Sequence, residues 1–131
     1  MNNNNMDYPV YPHPHSKENI LLLSTSMGLE IIDTNSLLRV EAISNYSKLF
    51  FTDGRSLVVA KLLSWFEEKL AGVYFTRLHR GHLVNIRYIK ACNYYNSAEV
   101  ILVNNKKLAV SRRKRIEFKK AMYRYHNQSP Q

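Results

Sequence analysis

Turn signals constrain this chain more than any other feature of its sequence. Asp53-Gly54 is the strongest two-residue hairpin signal, because glycine takes positive φ without steric cost and aspartate tolerates it. Similar punctuation recurs. Ser-Thr-Ser-Met-Gly separates Ile20 to Leu23 from Leu29 to Ile32, Ser44-Asn45-Tyr46 separates Leu37 to Ile43 from Lys48 to Thr52, and Asn104-Asn105 separates Glu99 to Val103 from Lys107 to Val110. Apolar runs cut to that length read as strands, and with no strand-helix-strand alternation they pair antiparallel through hairpins. The fold class this implies is mainly β, built from about eight short strands in antiparallel sheets.

Two segments break the pattern. In Ala60 to Leu70, Leu62, Leu63, Phe66 and Leu70 fall at helical spacing with Trp65 adjacent, while Lys61, Glu67, Glu68 and Lys69 take the polar face. One mid-chain helix is expected, ending near Ala71-Gly72. A C-terminal helix is expected over Arg112 to Tyr125, with Ser111 placed to cap it and Ile116, Phe118 and Met122 near one face. Arg112, Arg113, Lys114 and Arg115 crowd its first turn, where cations oppose the helix dipole by roughly 0.3–1 kcal/mol each. Their use is therefore expected to be something other than stability.

At 131 residues the chain has room for one ordinary core and no second domain. Residues 1–19, an Asn run followed by a proline-rich stretch, are expected to form a flexible arm, residues 20–125 the domain, and residues 126–131 a tail. The formal charge of +9 is unevenly spread. Through Phe75 there are six cations and eight acids, net −2, whereas from Thr76 onward 13 cations face only Glu99 and Glu117, net +11. A basic half of this kind favours a polyanionic partner. Cys92 is the single cysteine, which excludes an internal disulfide or a multi-cysteine zinc site and fits a reducing compartment. No apolar run reaches the roughly 20 residues of a membrane span, and the Asn-rich start lacks signal-peptide order, so the expected location is cytoplasmic.

The basic half begins inside Phe75 to Ile89, which sets three arginines and two histidines among apolar anchors. A regular amphipathic helix would place Phe75, Leu78, Leu83, Ile86 and Ile89 on one side, but Gly81 and Val84-Asn85 interrupt it. A bend presenting the cations is expected instead. His79 either hydrogen-bonds its own loop or touches a ligand. No cysteine or carboxylate lies near His79 and His82 in sequence, so neither metal nor any other cofactor is expected.

The pattern Phe75-x-Arg77-x-His79-Arg80-x-x-Leu83-Val84-Asn85-x-x-x-Ile89 resembles the core signature of the LytTR family of bacterial DNA-binding domains. Val40-Glu41-Ala42 before Ser44-Asn45-Tyr46, the Asp53-Gly54 hairpin, a helix ending in Lys69-Leu70, and Leu108-Ala109-Val110-Ser111-Arg112-Arg113 resemble further family blocks in the same order, from about Ile20 to Tyr125. Gly81-His82 departs from the more usual serine and aromatic residue. The resemblance implies an elongated domain of short β-sheets that lacks a helix-turn-helix and inserts loops into successive major grooves. It places DNA contacts on or near Asn45 and Tyr46, His79 and Arg80, and Arg112 and Arg113.

The side-chain chemistry fits that implication. Arg80 and Arg113 suit base edges, since arginine donates two parallel hydrogen bonds to guanine, while Lys48, Arg77, Lys114 and Arg115 suit phosphates. The expected function is sequence-specific binding of double-stranded DNA by a bacterial transcriptional regulator that stands alone. Binding as a homodimer on paired half-sites is an ordinary arrangement for so small a reader. The alternative is a basic module that binds a protein or an anionic membrane surface. With no paired carboxylates, phosphate-cradling loop or nucleophile elbow, the chain is not expected to be an enzyme or to take a small-molecule substrate. Tyr94 and Tyr95 are expected to serve the core or the sheet surface.

Overall fold

The computed structural model describes residues 19–72, 74–93 and 97–127. Most of the expected arm and tail, and Tyr94 and Tyr95, lie outside the described residues. The chain forms two compact units, one through Asn35 and one from Ser36 onward.

In the first unit β1 (Ile20–Thr25) pairs antiparallel with β2 (Gly28–Asp33), as the two apolar runs predict. Thr25 closes the turn. Its hydroxyl accepts from Met27 N and donates to Gly28 O, both at 3.1 Å. Alternation buries Leu21, Leu23 and Ile32 and leaves Leu22, Leu29 and Ile31 exposed, because successive side chains point to opposite faces.

The second unit is built on a five-stranded antiparallel sheet. Its strands are β3 (Leu37–Ile43), β4 (Tyr46–Phe51), β5 (Ser56–Val59), β6 (Phe75–His79) and β7 (His82–Asn85), in the order β5-β4-β3-β7-β6. A meander of β8 (Ile89–Asn93), β9 (Glu99–Leu102) and β10 (Lys107–Ala109) forms the other sheet. The helices are α1 (Leu63–Lys69) and α2 (Arg115–Asn127). The described residues thus hold ten strands rather than about eight, and the additional pair is Phe75–His79 and His82–Asn85. In β6 Thr76 and Leu78 are buried between half-buried neighbours, a period of two that pairing against β7 rewards and a helix would scramble.

Register places Leu57, Leu49, Val40, Leu83 and Arg77 in one cross-strand row. A hydrophobic core joins both sheets of this unit to α2: Leu38, Leu78 and Val84 meet Val100, Leu102, Leu108 and Val110 around Phe118, which is fully buried.

Several local expectations shift. The β4–β5 connection is a four-residue loop, not a two-residue turn, with Gly54 at φ 93° and Phe51 N bonded to Arg55 O at 2.9 Å. Helix α1 starts at Leu63. Leu62 holds the preceding extended position (φ −75°, ψ 156°) and is 54% exposed, so it does not belong to the apolar face. Before α2, Arg112–Lys114 form a 3-10 turn, and Ser111 occupies the cap position without a side-chain cap bond. Ile116 is 69% exposed. Two residues on a helix lie about 200° apart, so Ile116 cannot share the face of Phe118, whereas Met122 one turn on can.

Candidate nucleic-acid interface

The first expected loop is the two-residue turn Ser44-Asn45 between paired Ile43 and Tyr46. Ser44 has φ 55°, the left-handed conformation that gives a hairpin turn the twist of its strands. Asn45 is exposed at its tip and Tyr46, opening β4, is half exposed. Two residues on, Lys48 is half-buried, and its ammonium lies 5.1 Å from the centre of the Phe50 ring.

The second loop is the β6–β7 turn, and internal hydrogen bonds determine its shape. Arg77 Nε donates to His79 O at 2.8 Å, one terminal nitrogen to Arg80 O at 2.8 Å and the other to Glu67 Oε1 of α1 at 2.6 Å. Gly81 N–H donates to His79 Nδ1 at 3.0 Å. That bond makes Nδ1 an acceptor, so His79 is neutral with its proton on Nε2. Burial, then the charges of Arg77 and Arg80, hold its pKa below the ordinary value. The absence of a side chain at Gly81 eases this approach: a Cβ there would sit 3.1 Å from His79 Cε1, so the imidazole would have to shift by a few tenths of an ångström. Arg80 is exposed at the tip.

The third loop precedes α2. Ser111 N bonds Leu78 O at 2.9 Å, which fastens the loop to β6, and Lys114 N bonds Ser111 O at 3.0 Å. Arg112 and Arg113 are exposed. Lys114 reaches Glu117 at 3.2 Å, and Arg115 is half-buried with a buried Nε that has no hydrogen-bond partner.

The three loops meet at one end of the five-stranded sheet. Because β3 and β7 run antiparallel, the end of β3 lies beside the start of β7, and Ala42 N bonds Gly81 O at 2.9 Å. A cleft of about 470 Å³ between the second and third loops is lined by Arg77, His79, Arg80, Ser111, Arg113 and Lys114. Arg77 differs from the other expected phosphate ligands, since its guanidinium bonds two backbone carbonyls and a carboxylate at once.

Sequence reasoning missed a buried group behind this end. One cross-strand row runs Val58, Lys48, Glu41, His82 and His79. Arg39, 6% exposed, reaches it from two residues along β3 and lies 3.6 Å over the Phe50 ring. Its NH1 contacts His82 Nε2 at 2.7 Å and Glu41 Oε1 at 3.3 Å. Arginine only donates, so His82 Nε2 must accept and the ring is neutral with its proton on Nδ1. Burial, followed by the charge of Arg39, lowers the His82 pKa from 6.5 to about 4. Burial also lowers Arg39, against the hydrogen bond and charge of Glu41. Alternation of Arg39 with Glu41 was the available sequence signal; their partner lies 43 residues from Arg39.

The two histidine rings lie edge to face, 5.4 Å between centroids. Among the described residues no group of three or more His, Cys, Asp or Glu is placed to hold a metal ion, and no helix is long and apolar enough to cross a membrane.

Known proteins share this fold. The fold resembles the LytTr DNA-binding domain of a Bacillus cereus protein described as a methyl-accepting/DNA response regulator, with a TM-score of 0.66 and 22% identity over 79% of this chain and 96% of that one. The sequence is 30% identical over 111 residues to the sensory transduction protein LytT of Bacillus subtilis (strain 168), covering 83% of this chain. The chain spans about half of that relative, 46% of its length. The LytTr DNA-binding domain pattern itself matches residues 28–123, and with that extent matched the chain belongs to the LytTr DNA-binding domain family.

Proposed function

We propose that this chain binds double-stranded DNA sequence-selectively as part of a bacterial transcriptional regulator, with residues 20–125 as the DNA-binding domain and its loops entering successive major grooves. The observation that carries this reading is the convergence of three loops, two of them sharing a basic cleft, at one end of one sheet. Arg80 and Arg113 read base edges, where a guanidinium can donate twice to guanine. Asn45 and Tyr46 face the same end from the first loop. Lys48, Arg112, Lys114 and Arg115 meet phosphates, which accept from any cation without regard to sequence.

The test is selection from a random duplex pool, then anisotropy on the winning and scrambled duplexes across a salt series. Expected are a winner bound at least about 1,000-fold more tightly than scrambled DNA, and affinity falling with a log-log slope of about −0.9 per phosphate neutralised. Failure of any sequence to win refutes the reading. Equal or stronger binding to phosphatidylserine vesicles would favour a membrane-surface module instead. Stoichiometry on the winner decides whether two copies occupy paired half-sites.

A further inference from the structure

We infer that Arg77 is a positioning residue, which sets the aim of Arg80 and takes no phosphate itself. The inference rests on the DNA-binding reading and gives Arg77 a different task within it. The carbonyls it holds are those of His79 and Arg80, each at 2.8 Å. These belong to the two peptide planes on either side of the Arg80 Cα. Fixing both planes fixes φ and ψ at Arg80, and with them the direction in which its side chain leaves the turn.

The third bond anchors the clamp. Glu67 on α1 accepts from Arg77 at 2.6 Å, with the Arg77 side chain 16% exposed and that of Glu67 43% exposed. A guanidinium presents its five N–H donors in one rigid plane, which suits three acceptors arranged around it. Lysine has the same charge but no such plane. Swinging the guanidinium out to a phosphate would release two turn carbonyls and a carboxylate. Gly81 completes the turn from the other side, through its N–H to His79 Nδ1 and its carbonyl to Ala42 N.

The two roles give opposite results in two variants. A phosphate accepts lysine in place of arginine, so a phosphate contact survives Arg77→Lys. A clamp on two carbonyls does not. Glu67→Gln removes a negative charge beside a basic cleft, which by field alone strengthens binding to any polyanion. A weakened clamp instead lowers discrimination between sequences.

The full chain, wild type and both variants, is compared on the selected and a scrambled duplex over a salt series, with amide exchange measured by NMR without DNA. In Arg77→Lys the preference for the selected duplex is expected to fall about tenfold while the salt slope stays unchanged, and in Glu67→Gln it falls less, in the same direction. Exchange at the Gly81 amide, which is bonded to His79 Nδ1, is expected to rise about tenfold in both variants, with Val40 and Leu83 unaffected. An Arg77→Lys variant with full preference overturns the inference. So does an Arg77→Gln variant whose only change is a salt slope shallower by about 0.9. Unchanged exchange at the turn overturns the clamp whatever the DNA result. A wild type that prefers no duplex refutes the DNA reading itself, and is recognised as that failure because the exchange result stands on its own.

Discussion

Acidification should destabilise this protein through His82 before most carboxylates titrate. His82 is 7% exposed, and its Nε2 accepts from Arg39, so protonation would remove an acceptor and add a second cation in a buried place. Its pKa is lowered from 6.5 to about 4, by burial first and the charge of Arg39 second, with Glu41 opposing. The sign follows from proton counting. Between those values an unfolded chain carries the proton and the native chain does not, so stability is fully present above about pH 6.5 and is lost as pH falls towards about 4. At about 1.4 kcal/mol per pH unit, that interval is worth roughly 3 kcal/mol, a large share of the 5–15 typical of a domain. His79, also lowered, adds to the loss with the same sign.

Urea unfolding of wild type and His82→Gln at half-unit steps from pH 7.5 to about 4 measures the effect. Glutamine keeps an acceptor for Arg39 and cannot titrate, so the difference between the two curves isolates His82. That difference should change by roughly 3 kcal/mol across the window. Long-range proton–nitrogen spectra read the same group directly and should show the Nδ1–H tautomer with no titration above about pH 5. A parallel pair of stability curves, or a His82 ring that titrates near 6.5, would refute the buried-acceptor argument.

Three further outcomes are expected. His79→Asn keeps an oxygen near the Nδ1 position for the Gly81 amide but loses the Nε2 donor, so melting should be unchanged while DNA affinity falls about 5- to 10-fold; equal affinity would make His79 purely structural. Phe118→Ala, emptying the centre of the core shared by both sheets and α2, should cost about 3–5 kcal/mol in chemical unfolding. Arg113→Ala should cost about 1–3 kcal/mol on the selected duplex with relaxed preference, whereas Lys114→Ala should weaken all duplexes alike and make the salt slope shallower by about 0.9; equal losses on every sequence from both would remove the distinction.

How much was legible depended on whether the deciding interaction was local. The hairpins at Ser44-Asn45 and around Gly54 are set by residues within the turn, and their positive φ values occur where Ser44 and Gly54 stand. Both helices could be placed by period, but their edges and faces could not: Leu62 and Ile116 fit an apolar count and still lie exposed, because the buried stripe is chosen by what packs against it. Phe75–Ile89 was the hardest stretch. Its apolar residues suit interrupted helix and strand alike, and pairing β7 with β3 made it a hairpin. Arg77 looked like the surrounding cations because nothing near it in sequence reveals Glu67 as its partner.

By itself the sequence determined the local vocabulary of this protein: short strands between turn residues, two helical segments, and a basic half able to meet a polyanion. Those follow from backbone preference, side-chain period and charge, all readable within a few residues. Only the tertiary structure decided that three loops, separated along the chain, meet at one end of one sheet. It also decided that one arginine there holds the turn while its neighbours remain exposed, and that His82 is a buried acceptor. Strand order and burial do this work, because they bring β3 beside β7 and place Arg39 against a histidine 43 residues away.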